Sequence, residues 1–287
     1  MIDETAAEIR AMQTHSSSVV AVKAANALRG LFDREYATVE EYLQALDRNS
    51  DALRRANPSH ASLQTTQRDV VERVEDADPA SVEAAIAATE EAIEAVVEQV
   101  ERRKTDAAAR AADQLTDGMT VLTHDYSTTV LEAIRNATDR GVELDVYVTE
   151  ARPRVLGRKT ARELGRLDGV DPTLVVDSAA GLYAGEADLV LVGMTCIVED
   201  TLYNRVGTYP LAAAAADQGV PVAVAGSSAK VVSGGFRFEN DFRSWSEVIR
   251  EPPEGFDVVN PAYDATPVRL LDRVVTEDGV HDPAALS

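Results

Sequence analysis

The sequence contains a single cysteine, Cys196, among its 287 residues. One cysteine excludes an internal disulfide, a CxxC redox pair and a zinc site built from thiolates. The four histidines are His15, His60, His124 and His281, and they lie too far apart in the sequence for local metal-ligand spacing. We therefore expect neither a metal site nor a cofactor.

Long apolar runs and an excess of positive charge are also missing. No stretch approaches the ~18 to 20 apolar residues of a membrane span, and the first residues lack the basic and apolar regions of a secretory signal. The chain has 49 acidic and 28 basic residues, and its formal charge of -21 repels nucleic-acid backbone and anionic lipid. The composition predicts a soluble, cytoplasmic protein that binds neither nucleic acid nor membrane.

Lysine is scarce among the basic residues. Only four of the 28 are lysines, at positions 23, 104, 159 and 230, and the rest are arginines. This skew, together with the excess of acids, is typical of halophilic proteins, in which ~1 M salt screens repulsion beyond about 3 Å. We therefore interpret most of the acidic residues as a solvated surface.

Two parts of the chain differ in their pattern. Up to about residue 115, few glycines and an apolar spacing of three and four predict helices over residues 3–13, 17–34, 38–56, 62–75 and 81–115. After Gly118, short β-branched runs alternate with helical stretches, which indicates βαβ units and a parallel sheet. The sequence thus predicts an α/β protein with an all-helical domain over residues 1–115, followed by a Rossmann-like, doubly wound parallel sheet over residues 116–287.

The predicted sheet directs attention to the residues that follow each strand. The strands are expected at 120–123, 144–148, 173–176, 189–192, 222–225 and 274–276. In a doubly wound sheet, ligands bind beyond the carboxyl ends of the strands. No GxGxxG opens the first βα turn and no GxxxxGK[ST] occurs, so an ordinary dinucleotide site and a P-loop are both unsupported.

The residues at these strand ends form a series. They are Thr-His-Asp-Tyr-Ser at 123–127, Thr-Glu-Ala-Arg-Pro at 149–153, Gly-Met-Thr-Cys at 193–196, Asn-Arg-Val-Gly-Thr at 204–208 and Asn-Pro-Ala-Tyr-Asp-Ala-Thr-Pro at 260–267. In this order they resemble the superfamily of the alpha, beta and delta subunits of initiation factor 2B, which includes ribose-1,5-bisphosphate isomerase and methylthioribose-1-phosphate isomerase. The resemblance covers about residues 118–281 and implies a homodimer that forms through the carboxy-terminal domain.

Two positions bear on whether the chain is an enzyme. The isomerases of this superfamily have a cysteine and an aspartate that are thought to move protons, and Asp125 and Thr195 occupy those two positions here. A threonine hydroxyl has no useful acid/base pKa near neutral pH, so Asp125 would act as a base without its partner. The resemblance then favours a non-enzymatic, initiation factor 2B-like regulatory protein with a possible protein partner in translation initiation. The alternative is an aldose-ketose isomerase of the ribose-1,5-bisphosphate type.

The resemblance also implies a retained pocket for a nucleotide or a sugar phosphate. Asn204 and Arg205 match the family's Asn-Lys pair, and Lys230 falls where the family has a lysine after the fifth strand. Arg152 and Arg158 flank Pro153, and either of them could bind phosphate or pair with an acid.

Four further residues have two interpretations. Ser16 and Ser17 stand where the bisphosphate isomerases have an Arg-Gly-Ala element, and they either bind an anion or only cap the helix that follows. Asp264 either touches the ligand or accepts hydrogen bonds from turn amides. Cys196 is adjacent to the position of the family's aspartate, but a strand alternates its faces, so we expect a structural thiol.

Overall fold

The computed structural model describes residues 2–11, 16–232 and 236–286. It divides into two compact units, Met1–Arg103 and Lys104–Ser287. The first unit is helical and the second contains all the strands.

The helical unit forms where the apolar periodicity predicts it. Its helices are α1 (Ile2–Arg10), α2 (Ser17–Ala27), α3 (Val39–Ala56), α4 (Ala61–Asp76) and the first part of α5 (Val82–Ala112). Thr38 caps α3, because its side chain accepts a hydrogen bond from Glu41 N at 3.2 Å. The buried side chains of Tyr42, Leu53 and Ile93 belong to one apolar core.

The compact units divide within α5, whereas the sequence placed its domain boundary between residues 115 and 116. Ala108, Ala111 and Ala112 are buried in the same apolar cluster as Val121 and Ile134 of the second unit. Their small side chains let the helix lie close to its neighbours. The last turns of α5 therefore pack with the α/β unit.

The α/β unit holds eleven strands and four further helices in its described residues. The strands are β1 (Met119–His124), β2 (Leu144–Thr149), β3 (Val170–Val175), β4 (Leu189–Gly193), β5 (Cys196–Val198), β6 (Thr201–Arg205), β7 (Val222–Ala225), β8 (Val231–Val232), β9 (Tyr263–Pro267), β10 (Arg273–Thr276) and β11 (Gly279–His281). The helices are α6 (Thr128–Thr138), α7 (Gly157–Leu164), α8 (Ala180–Ala184) and α9 (Thr208–Asp217).

The larger sheet confirms the predicted doubly wound fold. Its order is β11-β10-β7-β4-β1-β2-β3, and every neighbouring pair is parallel except β10 and β11. β4 is buried along its whole length, as a central parallel strand requires. The chain runs from β1 outwards to β3 and then returns to β4 on the other side of β1. The switch point therefore lies between the carboxyl ends of β1 and β4.

The sequence did not predict a second, four-stranded sheet of order β8-β5-β6-β9. β5 and β6 form an antiparallel hairpin, and β9 pairs antiparallel with β6. In this register Asn204 lies opposite Asp264, and Arg205 lies opposite Tyr263. The small sheet thus places two of the strand-end motifs side by side.

Candidate functional site

His124 fixes the end of β1 to the loop after β6. Its Nδ1 lies 2.6 Å from Thr149 Oγ1, and its Nε2 lies 2.9 Å from the carbonyl oxygen of Val206. Gly207 has a φ of +109°, and a Cβ there would lie 2.6 Å from His124 Cε1. Only glycine suits this combination of left-handed backbone and close approach.

Next to His124, Asp125 forms an ion pair with Arg205. Asp125 is 8% exposed, and its Oδ2 lies 3.4 Å from Arg205 Nε. Asp125 has a φ of +63°, a left-handed conformation that Asp tolerates better than most residues. Its carbonyl oxygen accepts a hydrogen bond from Thr160 Oγ1 at 2.6 Å, which fixes the loop. The carboxylate is therefore held at the switch point.

Arg205 keeps its charge although its side chain is only 13% exposed. Its guanidinium lies over the ring of Tyr263, 5.0 Å from the ring centroid. Burial opposes the charged form, but Tyr263, Asp125 and Asp241 together raise the pKa of Arg205. A permanent cation thus lies beside the Asp125 carboxylate.

A pocket opens next to this pair. Its charged lining consists of the guanidiniums of Arg152, Arg154, Arg205 and Arg243 and the carboxylates of Asp125 and Glu247. The chain as a whole has a formal charge of -21, so this local surplus of guanidinium groups is unusual for it. Guanidinium forks match the geometry of phosphate oxygens, so the lining suits a phosphorylated ligand.

The loop after β2 carries two of these arginines. Asp177 holds the loop by accepting hydrogen bonds from Ala151 N at 2.8 Å and Arg152 N at 2.7 Å. Arg152 Nη2 donates to the carbonyl oxygen of Val248 at 3.2 Å. Arg158 is paired with Glu150 at 2.8 Å and does not line this pocket, so only Arg152 of the two reaches it.

Asn204 and Thr195 belong to a buried polar chain. Thr195 Oγ1 donates to Asn204 Oδ1 at 3.5 Å, and Asn204 Nδ2 donates to Thr208 Oγ1 at 3.2 Å. Thr208 Oγ1 in turn donates to the carbonyl oxygen of Arg205 at 2.7 Å. Within the part of the chain that the structure describes, neither Asn204 nor Thr195 lines the arginine pocket.

Lys230 is buried away from the arginine pocket. Its Nζ donates to the carbonyl oxygen of Met194 at 3.0 Å, and the residue is 5% exposed. Burial lowers the pKa of Lys230 to about 8, against the opposing effects of Cys196 and Glu277. Arg205 and Lys230 were both predicted to lie at the ligand pocket, and of these two only Arg205 lines the arginine pocket.

Asp264 accepts hydrogen bonds from turn amides. Its Oδ2 accepts from Gly207 N at 2.7 Å and from Tyr209 N at 2.9 Å, at the start of α9. Burial raises the pKa of Asp264, while these amides act in the opposite direction. The carboxylate thus stabilises the turn after β6, as one of its two interpretations predicted.

Ser16 and Ser17 lie in the helical unit. Ser16 is the N-cap residue of α2 and has an extended backbone, but its side chain makes no capping hydrogen bond, and Ser17 is the first residue of that helix. His15 falls outside the described residues. The interpretation of Ser16 as a side-chain cap is therefore not supported, and anion binding by the two serines stays a prediction.

Sequence reasoning missed Arg154, Arg243 and Glu247. Arg154 is two residues from Arg152 in the same loop, and that position was a usable signal. Arg243 and Glu247 lie in the irregular segment 236–250, which carries no motif of its own. Its place beside the pocket depends on long-range hydrogen bonds.

Cys196, the first residue of β5, provides a test of how deeply the four-stranded sheet is buried. It is 0% exposed, and burial raises the pKa of its thiol to about 12. Because the thiolate is the reactive form, a shift from about 8.5 leaves on the order of 10³-fold less thiolate at neutral pH. We expect Ellman's reagent to react far more slowly with the folded chain than with the urea-unfolded chain. Equal rates would show that the thiol is accessible.

No three or more histidine, cysteine, aspartate or glutamate side chains in residues 2–11, 16–232 and 236–286 gather in a way that could hold a metal ion. Across the same residues, no helix is both long and apolar enough to cross a membrane.

Comparison with known proteins gives the family. The model of the initiation factor 2 subunit family matches residues 13–283, and the chain therefore belongs to this family, as the strand-end motifs predicted. A protein named ribose 1,5-bisphosphate isomerase from Haloferax volcanii is 32% identical over 99% of this chain and 90% of its own length. A methylthioribose-1-phosphate isomerase from Syntrophotalea carbinolica is 31% identical over 95% of this chain and 85% of its own length.

Solved structures agree on the fold. A crystal structure of Pyrococcus horikoshii translation initiation factor eIF-2B has a TM-score of 0.83 at 25% identity, covering 99% of this chain and 98% of that chain. A 5-methylthioribose 1-phosphate isomerase from the same organism has a TM-score of 0.76 at 22% identity, covering 99% of this chain and 85% of that chain.

These relatives correct the preferred functional prediction. The sequence favoured a non-enzymatic regulatory protein because Asp125 and Thr195 replace the family's cysteine and aspartate. That preference is wrong, because several relatives at about 30% identity over nearly the whole chain are named ribose 1,5-bisphosphate isomerase. The two substitutions do not remove acid/base chemistry, since a carboxylate at position 125 can itself accept a proton. The findings favour the alternative, a sugar-phosphate isomerase.

Proposed function

We propose that this chain is an aldose-ketose isomerase that acts on ribose 1,5-bisphosphate, with Asp125 as its base. The observation that carries the proposal is the position of Asp125. Its buried carboxylate lies 3.4 Å from Arg205 in a pocket lined by four guanidinium groups, at the switch point of the sheet. The names of the relatives support the same substrate class.

A single carboxylate can carry the central proton transfer. Asp125 takes the proton from C2, the electron pair of that C–H bond forms a C1–C2 double bond, and the bond from C1 to the ring oxygen breaks. The ring oxygen takes a proton from water. Asp125 then returns its proton to C1 while the O2 hydroxyl loses its proton to water, and the product is ribulose 1,5-bisphosphate. Because one base serves both carbons, the chemistry does not require an acid at Thr195.

Cationic side chains of the pocket hold the phosphates in this proposal. Arg152 and Arg205 line the pocket with Asp125, and Arg205 also compensates the charge of the carboxylate. Asn204, Lys230, Ser16 and Ser17 stay predicted ligand-binding residues.

The test is an assay with ribose 1,5-bisphosphate that carries deuterium at C2. We expect ribulose 1,5-bisphosphate to form, with part of the deuterium found at C1, because one base moves the proton between adjacent carbons. Nuclear magnetic resonance of the product measures the position of the label. Molar salt and low salt are compared, because a halophilic protein folds fully only in the former.

Each result has a definite meaning. Absence of turnover under both salt conditions would overturn the proposed function. Turnover without any label at C1, even in a single turnover, would keep the isomerase and reject Asp125 as a shared base. Turnover with part of the label at C1 and the rest lost to water supports both parts, whereas retention of all the label at C1 would indicate a direct hydride shift and reject Asp125 as the base.

The assembly and cellular setting complete the proposal. We propose that the chain forms a homodimer through residues 116–287 and that it works in the cytoplasm of a halophile. A solved structure with 20% identity to this chain is described as the tetrameric eIF2B-beta2-delta2 complex, so oligomers occur among proteins of this fold. A protein partner in translation initiation stays a prediction that the isomerase does not require.

A further inference from the structure

His124 joins two strand ends that belong to different sheets. In the described residues β1 pairs with β2 and β4, whereas β6 pairs with β5 and β9. Within that part of the chain, no ladder of backbone hydrogen bonds sets the distance between the end of β1 and the end of β6. The side chain of His124 spans this gap, because it starts at the last residue of β1 and reaches Val206, the residue after β6.

The two ring nitrogens of His124 have separate partners. The carbonyl oxygen of Val206 is an acceptor, so Nε2 at 2.9 Å carries a hydrogen and donates it. In the neutral ring Nδ1 then accepts from the hydroxyl of Thr149 at 2.6 Å. β1 and β2 are already paired in register at His124 and Thr149. Only the Nε2 hydrogen bond therefore adds a connection between the two sheets.

The turn that His124 contacts is itself fixed. Gly207 N donates to Asp264 Oδ2 at 2.7 Å, which holds the turn after β6. A Cβ at Gly207 would lie 2.7 Å from His124 Nε2, so the ring packs directly on the backbone of this turn. His124 is 4% exposed. A rotation of the ring away from Val206 would therefore have to displace backbone.

The hydrogen bond of His124 lies next to the ion pair of Asp125 and Arg205. Asp125 follows His124 and Arg205 precedes Val206, so both interactions join the same two segments of the chain. On its other side, the carbonyl oxygen of Asp125 is held by Thr160 Oγ1. The carboxylate thus stands between two anchors. Its exact place matters, because a general base needs a heavy-atom distance of about 2.6–3.2 Å and a misplacement of about 1 Å can cost about 10²-fold in rate.

We infer that His124 is a positioning residue for the isomerisation, and that its Nε2 hydrogen bond to Val206 sets the place of the Asp125 carboxylate relative to Arg205. The inference rests on the proposed function, because it takes Asp125 as the base. His124 moves no proton of the substrate, since both of its nitrogens are engaged by protein atoms. It acts through Asp125.

Two substitutions separate the two nitrogens of His124. In His124→Gln the side-chain amide can donate to Val206 from nearly the place of Nε2, whereas the shorter side chain in His124→Asn reaches only Thr149, near the place of Nδ1. The control is His281→Gln. His281 Nε2 also pairs with a threonine hydroxyl, Thr276 Oγ1 at 2.9 Å, but it lies in the β10–β11 hairpin and does not line the pocket.

The first readout is kcat for ribose 1,5-bisphosphate, divided by the number of binding sites that titration calorimetry counts. His124→Asn is expected to lower kcat about 10- to 100-fold, as a displacement of up to about 1 Å does. His124→Gln should recover most of this loss, and His281→Gln should match wild type. The Kd of the bisphosphate should change by less than about 3-fold in all three variants, because the loss falls on the chemical step. A residue that served only the stability of the fold would lower the number of sites and would not separate glutamine from asparagine.

The second readout does not depend on activity. Crystal structures of wild type and the variants give the distance between Asp125 Oδ2 and Arg205 Nε. This distance is expected to increase by about 1 Å in His124→Asn and to stay within about 0.5 Å of wild type in His124→Gln. A double variant, His124→Asn with Asp125→Asn, should have the kcat of Asp125→Asn alone, because no carboxylate is left to position.

The outcomes separate the inference from the proposed function. Equal kcat values for His124→Gln and His124→Asn, or a double variant that is slower than Asp125→Asn alone, would overturn the positioning role and keep the isomerase. A displaced Asp125 carboxylate in His124→Asn, without turnover in wild type, would reject the isomerase and keep His124 as the residue that positions Asp125. Turnover in wild type with an undisplaced carboxylate in His124→Asn would keep the isomerase and reject the positioning role.

Discussion

Replacing Asp125 with asparagine is expected to lower kcat for the isomerisation of ribose 1,5-bisphosphate about 10²- to 10⁴-fold, the usual contribution of a positioned general base. Asparagine has the same shape and tolerates the φ of +63° at this position, so the backbone should not change. The carbonyl oxygen of residue 125 keeps its hydrogen bond from Thr160 Oγ1. The lost activity therefore reports on the carboxylate.

Ligand affinity should respond differently to this change. The substitution removes one of the two carboxylates that line the pocket and leaves Arg205 without its partner at 3.4 Å. An anionic ligand then meets more positive charge, so we expect its Kd to stay equal or to fall. A loss in kcat with unchanged or tighter binding separates a base from a group that only binds substrate.

The matched control is Asp145→Asn, an exposed position in β2 that does not line the pocket. It makes the same chemical change and should retain the kcat of wild type. Initial rates and calorimetric binding are measured for both variants at the same salt concentration. If Asp125→Asn kept more than about a tenth of the activity of wild type, Asp125 would not be the base.

The fold could be predicted where the periodic signal was long. The helices of the first unit and the six parallel strands follow from apolar spacing over many residues. The small sheet could not be predicted in the same way, because β5 has three residues and β8 has two. Strands of this length carry no readable alternation, and only their long-range pairing defines them.

The residues of the candidate site could likewise be predicted only where a local sequence pattern marks them. Asp125 and Arg152 follow strands, Arg205 is the last residue of one, and the structure brings all three to one pocket. Arg243 was missed because segment 236–250 reaches the pocket through hydrogen bonds to residues 260–262, which are distant in sequence. Lys230 was predicted to lie at the ligand pocket, but its burial against Met194 depends on the packing around the ends of β4 and β7.

The function was misjudged from a comparison of single positions. A cysteine and an aspartate missing from their family positions suggested lost catalysis, whereas the relatives are named as isomerases. One replacement, Asp125, is itself a proton acceptor, and the pocket around it is strongly cationic. The chemistry of the replacing residue carries more information than the departure from the motif.

Gly157 is a position where a single added methyl group should cost much stability. A Cβ there would lie 1.7 Å from the carbonyl oxygen of Thr149 and 2.8 Å from its carbonyl carbon. Both atoms belong to backbone at the end of β2, so no side chain can move aside. Gly157 N also donates to the carbonyl oxygen of Glu150 at 3.1 Å, which ties the start of α7 to the same strand end.

Gly157→Ala therefore has to displace the loop over residues 151–157, which carries Arg152 and Arg154. We expect the free energy of unfolding to fall by about 2–4 kcal/mol, at the upper end for overpacking, and Tm to fall by roughly 5–15 °C. Affinity for a phosphorylated ligand should fall as well, because two guanidiniums leave the pocket together.

Gly181→Ala is the matched control for this effect. Gly181 lies in α8, and a Cβ there would meet Ala214 Cβ at 3.6 Å, an ordinary van der Waals contact. Alanine also restricts the unfolded chain more than glycine does, so this variant should be as stable as wild type or more stable by up to about 1 kcal/mol. Thermal unfolding followed by circular dichroism compares the two variants. Equal Tm values for Gly157→Ala and Gly181→Ala would mean that the loop does not pack closely on the end of β2, and the position of both arginines in the pocket would then be wrong.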